Sequence, residues 1–141
     1  MNIITKFFIV TGFSITSQSA VSQSINFTID GIKSSDGKIY VQLFDSETGY
    51  QSNKAAVANI VKAKQGSVTI TFNDLDEGEY AIRYFHDEND NGELETNLFG
   101  MPTEGYGFSN NAKANFGPVN FTNMRFNLAD EAVKNSSTVS Y

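Results

Sequence analysis

Along residues 24–30 polar and apolar positions alternate without a break: Ile25, Phe27 and Ile29 fall on one side, and Ser24, Asn26, Thr28 and Asp30 on the other. A period of two is that of a half-buried strand. Ser35-Asp36-Gly37 supplies turn residues, and the alternation resumes over 38–45 with Ile39, Val41 and Leu43 on one face. It recurs at Val68, Ile70 and Phe72 after Gly66, and at residues 79–86 after Asp76-Glu77-Gly78. The last apolar run, 119–128, shifts phase between Phe121 and Met124, which predicts a β-bulge at Thr122-Asn123. Residues 54–64 have a helix-like composition, and the pattern predicts a short helix feeding a strand over 58–64. Six to seven short strands, each with one apolar face, predict an all-β fold. The expected architecture is a single antiparallel β-sandwich, immunoglobulin-like or prealbumin-like, with a small barrel as the alternative.

One long stretch, 87–118, lacks a strand pattern, and a loop of that length in a compact domain tends to be functional. It opens with side-chain oxygens at alternate positions, Asp87, Asn89 and Asn91, followed by Gly92, Leu94 and Glu95. Ca²⁺ takes six to eight oxygens at about 2.3–2.6 Å, and alternate residues of a tight turn can supply several of them. The pattern matches the first half of the calcium-loop template D-x-[DN]-x-[DN]-G, but the glutamate required at position twelve is Leu98 here. The expected ligands are therefore Asp87, Asn89, Asn91, the Glu93 carbonyl and Glu95, with Glu104 as a further carboxylate. An Asx-rich turn with no ion explains the same residues. The second half of the stretch is rich in Gly, Asn and aromatics, and Phe99, Tyr106, Phe108 and Phe116 are expected either as a ligand platform or as a satellite core under the loop.

Residues 1–22 read as a secretory signal peptide, with Lys6, an apolar run over 7–15 and Ala20-Val21-Ser22 as the cleavage site. The apolar run is too short to span a bilayer, and no later one approaches the length required. The expected organisation is a leader (1–22), a sandwich domain (23–128) and a frayed Ser- and Asn-rich tail (129–141), in a secreted or periplasmic protein. Cysteine is absent, so disulfides play no part in its stability. The chain carries sixteen acidic and ten basic residues, net −6. Loss of Lys6 with the leader leaves nine basic residues and −7. That balance argues against nucleic acid, which needs clustered Lys and Arg.

Nothing here predicts an enzyme. His86 is the one histidine, so a Ser-His-Asp triad would have to use it, and a lone histidine at a strand end is more often a hydrogen-bonded structural residue. Zinc sites usually draw on several His or Cys ligands. Paired carboxylates at Asp87 with Glu95 or Glu104 would suit a glycosidase, but acid catalysis leaves the alternating Asn residues unexplained.

Residues 37–45, Asp74-Leu75-Asp76-Glu77-Gly78-Glu79-Tyr80, the Asx run 86–97 and the Gly-, Asn- and aromatic-rich run 100–112 together resemble the bacterial family called domain of unknown function 2141, over roughly residues 25–128. The resemblance implies export and a prealbumin-like sandwich, and it implies no activity. At Glu95 the family's loop usually has Asp, so the ligand is one methylene longer here. The expected function is an exported binding or structural module with a Ca²⁺-stabilised loop. A carbohydrate- or peptide-binding module using the aromatic 99–116 loop is the alternative, and a hydrolase the second alternative.

Overall fold

The computed structural model describes residues 23–115, 117–129 and 131–141. The leader expected over 1–22, and Phe116, lie outside them. Among the described residues eight strands form two sheets. β1 (Gln23–Ile32), β4 (Gly66–Leu75) and β8 (Ala132–Thr138) make a three-stranded sheet in the order β4-β1-β8. The other sheet runs β3 (Val57–Lys62), β2 (Lys38–Phe44), β5 (Gly78–Asp87), β6 (Gly105–Phe108). β7 (Phe126–Leu128) also pairs with β5.

The two sheets pack face to face through the alternating apolar residues. Ile25, Phe27 and Ile29 of β1 with Ile70 and Phe72 of β4 meet Ile39, Val41 and Leu43 of β2 and Ile82 and Tyr84 of β5 in one buried cluster. Phe27 and Tyr84 meet edge to face, their ring centroids 5.8 Å apart. This is the all-β, two-sheet arrangement that the period-two pattern predicts.

Five expectations are corrected. The pairing is not wholly antiparallel, because β8 runs parallel to β1 from Ser24↔Ala132 to Asp30↔Thr138. The tail expected to fray is thereby a paired strand. Its inward Ser137 is buried and accepts a hydrogen bond from the Tyr84 hydroxyl at 2.9 Å, so a polar residue is satisfied inside the core. Helix α1 is Glu47–Gln51 rather than the 54–64 stretch, started by Ser46, whose Oγ accepts from the Gly49 N–H; the strand that follows, β3, begins at Val57. The phase shift near Thr122 is a single helical turn, α2 (Phe121–Met124), not a bulge; one turn rotates the chain so that both Phe121 and Met124 are buried. Lastly, the long loop contains β6, bringing the strand count to eight.

β6 is unusual in its inward positions, Gly105 and Gly107. Gly107 lies opposite Tyr84, and a Cβ there would sit 2.2 Å from the Tyr84 hydroxyl. A Cβ on Gly105 would meet the Tyr141 ring at 2.5 Å. The two large rings fill the space that side chains of β6 would otherwise occupy. Burial pushes the Tyr84 phenol up to about 12, and the phenols of Tyr50, Tyr80 and Tyr141 shift the same way for the same reason. The folded protein thus holds these protons more tightly than the unfolded chain, whose phenols titrate near 10. Below about pH 10 both states keep them and these groups contribute no pH dependence; between about 10 and 12 the unfolded chain alone ionises, so their contribution makes stability fall as pH rises. Urea midpoints measured across that window should decline, and Tyr84→Phe should flatten part of the decline. A slope unchanged in that variant would remove Tyr84 as its source.

Candidate metal loop and aromatic sheet face

β5 delivers the Asx run. Its inward residue His86 is fully buried, and both ring nitrogens are engaged: Nε2 lies 2.7 Å from the Asp36 carbonyl and Nδ1 2.9 Å from the Tyr141 hydroxyl. A carbonyl can only accept, so Nε2 donates to Asp36; in the neutral ring Nδ1 then accepts from the Tyr141 hydroxyl, whose oxygen accepts in turn from the Lys33 N–H. His86 therefore anchors the 33–36 turn and the 139–141 segment.

The next residue, Asp87, is a fully buried carboxylate. Its Oδ1 accepts from the Asn91 N–H at 3.0 Å and its Oδ2 from the Gly92 N–H at 2.8 Å. Asn89 Oδ1 accepts from the same Asn91 N–H at 3.1 Å, and Asn91 Oδ1 accepts from the Glu93 N–H at 2.9 Å. The three alternating oxygens are thus wrapped around one turn, with Asp90 and Gly92 at positive φ. Glu95 Oε1 joins them by accepting from Asn91 Nδ2 at 3.1 Å. Glu93 is exposed.

Glu104 lies elsewhere in sequence but in the same place. It is 4% exposed, and its two oxygens accept from the Glu88 N–H at 3.0 Å and the Glu95 N–H at 3.3 Å, clasping both ends of the loop. Lys38 on β2 pairs with Asp90 at 2.7 Å across the solvent side, where water screens the contact and leaves it little weight in stability. Among the described residues no three His, Cys, Asp or Glu side chains form a metal-ligand group; the oxygen set of the turn is two carboxylates and two amides.

The expected aromatic platform does not assemble as one unit. Leu98, Phe99 and Met101 project from a small turn closed by Asn97, whose Oδ1 accepts from the Phe99 and Met101 N–H groups. Phe99 is 89% exposed and meets none of the others. Phe116 lies outside the described residues. Tyr106 and Phe108 stay together, ring centroids 6.2 Å apart, on the outward face of β6. There the register joins them to residues the sequence reading passed over. Tyr40, Phe85 and Tyr106 are cross-strand partners in one row, with Ile60 beyond Tyr40, and Tyr40 and Phe85 stack at 4.9 Å, 7° from parallel. Outward aromatics at Tyr40 and Phe85 occupy the polar phase of their strands, a signal readable only once the register is known. Phe108 also borders a second small core of Phe44, Ala81, Val119, Phe121 and Met124, so the satellite-core expectation holds for that residue.

The rest of the Gly- and Asn-rich run serves the fold. Ser109 is buried where β5 changes partner from β7 to β6; its Oγ accepts from the Ile82 N–H at 2.9 Å and donates to the Met124 carbonyl. Asn110 and Asn111, both at positive φ, bind Asn135 and the Thr138 N–H of β8.

No helix among the described residues is long and apolar enough to cross a membrane. No curated protein and no solved structure matches the chain. The family model for domain of unknown function 2141, described as an uncharacterised protein conserved in bacteria, matches residues 27–136, from within β1 into β8, and the chain belongs to that family.

Proposed function

We propose that the protein is an exported binding or structural module, a sandwich of prealbumin-like or immunoglobulin-like kind, whose 87–95 turn is stabilised by Ca²⁺. The observation that carries this reading is the sharing of one N–H, that of Asn91, by Asp87 Oδ1 and Asn89 Oδ1. Two oxygens crowded onto a single donor leave unshared lone pairs on the inside of one turn, where a hard cation relieves their repulsion. Asp87, Asn89, Asn91 and Glu95 would donate side-chain oxygens and Glu93 its carbonyl. Glu104, tied to two N–H groups, would act as a clasp on the loop and a further oxygen source. With two carboxylates in the set the affinity belongs to the weak extracellular range, about 10⁻⁴–10⁻³ M.

Calorimetric titration with Ca²⁺ and Mg²⁺, with melts in Ca²⁺ and in EDTA, tests the reading. At a hundredfold excess over Kd the stabilisation is about 2.7 kcal/mol, a rise of several degrees in Tm. The expected result is a Ca²⁺-selective heat and shift, both lost in Asn89→Ala and in Asp87→Asn. Absence of heat and shift at 10 mM Ca²⁺, a concentration chosen as roughly a hundredfold over the tighter limit, leaves an Asx turn held by its own N–H groups.

A second reading, a carbohydrate- or peptide-binding module, is favoured by the Tyr40–Phe85 stack and its continuation into Tyr106 and Phe108. A row of half-buried aromatic side chains on one sheet face offers apolar surface to a sugar ring or a peptide side chain.

A further inference from the structure

Next to the aromatic row on the same sheet face lies the row Gln42, Arg83, Phe108. Arg83 is the floor of a cleft of about 580 Å³ between α1 and the 118–121 segment, with Glu47, Tyr50, Asn53, Asn120 and Phe121 among its walls. That volume is within the range of small-molecule sites. Tyr50 ties the two walls together by donating from its hydroxyl to the Val119 carbonyl at 2.8 Å.

The guanidinium is half-buried. It rests over the Phe44 and Tyr50 rings at 5.1 and 5.7 Å, donates from Nε to Gln42 Oε1 at 3.0 Å, and donates from Nη2 to Gln42 and to Asn53 Oδ1. Among the described residues Nη1 meets no acceptor, and the two ion pairs, Lys38–Asp90 and Arg125–Glu79, do not involve Arg83. A partly desolvated guanidinium in an acidic protein with no carboxylate on it is an unsettled charge. Burial pushes its pKa below the ordinary guanidinium value, in keeping with that missing partner.

We propose that the cleft binds a saccharide bearing a carboxylate, a uronate, with the carboxylate on Arg83 and the sugar ring against the wall formed by Tyr50 and Phe121, whose centroids lie 6.4 Å apart, within reach of the amides of Asn53 and Asn120. This rests on the reading of the outer face as a saccharide platform. The guanidinium matches a carboxylate in shape and charge. The amides and Glu47 supply donors and acceptors for hydroxyl groups, and Glu47, its Oε1 accepting from Gln51 Nε2, opposes a second negative charge and so disfavours phosphate.

Chemical-shift mapping of the folded protein with glucuronate, glucose and propionate tests it. Glucuronate should move the resonances of Arg83, Asn53 and Asn120, with glucose and propionate each at least tenfold weaker. Arg83→Gln and Asn120→Ala should each weaken glucuronate binding several-fold, Arg83→Gln the more, with melting curves establishing that both variants remain folded; Asn120 is exposed, so its variant keeps the test open if Arg83→Gln unfolds. Glucose and glucuronate shifting Tyr40 and Phe85 equally would overturn the Arg83 site while keeping the platform. Propionate equalling glucuronate would overturn the saccharide and leave a bare anion site. No shift from any probe at about 50 mM, roughly fiftyfold over a millimolar Kd, would overturn both.

Discussion

Gly37→Ala should cost on the order of 3 kcal/mol or more, lowering Tm by roughly 10 °C or more. Gly37 has φ +65°, a conformation that alone costs an L-residue about 1 kcal/mol or somewhat more. The larger part is steric. A Cβ at Gly37 would lie 1.8 Å from the Asp87 carbonyl oxygen and 2.9 Å from its carbon. Both are backbone atoms of the strand hydrogen-bonded to β2, so no rotamer change gives relief and the two central strands must part at the point where Asp87 enters the loop. Gly100→Ala is the control: φ is +76°, and nothing lies within 4 Å of the new methyl group. It should cost only the conformational part. Equal Tm losses in the two variants would mean that strain, not overlap, governs Gly37.

Ending the chain at Leu128 should abolish cooperative folding. The removed segment supplies seven register partners to β1, the buried Val139 and Ser137, and the Tyr141 ring that fills the space over Gly105. It also joins the two sheets at one corner, where Tyr106 and Ser140 exchange hydrogen bonds of 2.9 and 2.8 Å. Together these losses are comparable with the whole stability of a domain this size, about 5–15 kcal/mol. The exposed edge of β1 would then invite association. A truncated protein that stays monomeric and melts cooperatively within a few degrees of the full chain would refute this assignment of β8.

How far the sequence could be read depended on where the apolar signal sat. β1, β2, β4 and β5 carry it on their own inward residues, so the period of two identifies them. β6 does not: its inward residues are Gly105 and Gly107, and the matching bulk is on Tyr84 and Tyr141, distant in sequence. β8 was hidden for the opposite reason, since Asn135 and Ser137 take positions where an apolar residue is expected and are satisfied by Asn110 and Tyr84. The phase shift at Phe121–Met124 was visible, but an inserted residue and a helical turn produce the same shift, and only packing against Phe44 and Ala81 separates them. In the candidate site the Asx spacing was legible because the turn is local. The aromatic row was not, because register rather than spacing brings Tyr40, Phe85 and Tyr106 together.

The parallel pairing of β1 with β8 has a kinetic consequence. Each partner pair, such as Ser24 with Ala132, is separated by 108 positions, so closing that ladder is among the most non-local steps available to the chain. Folding dominated by such pairings proceeds in milliseconds to seconds rather than microseconds. During synthesis β1 can meet β4 early, but its other edge stays open until residues 132–138 have left the ribosome. The sandwich is therefore completed only once residues 132–138 are free to pair, and until then the chain is open to whatever holds or moves unfolded polypeptides.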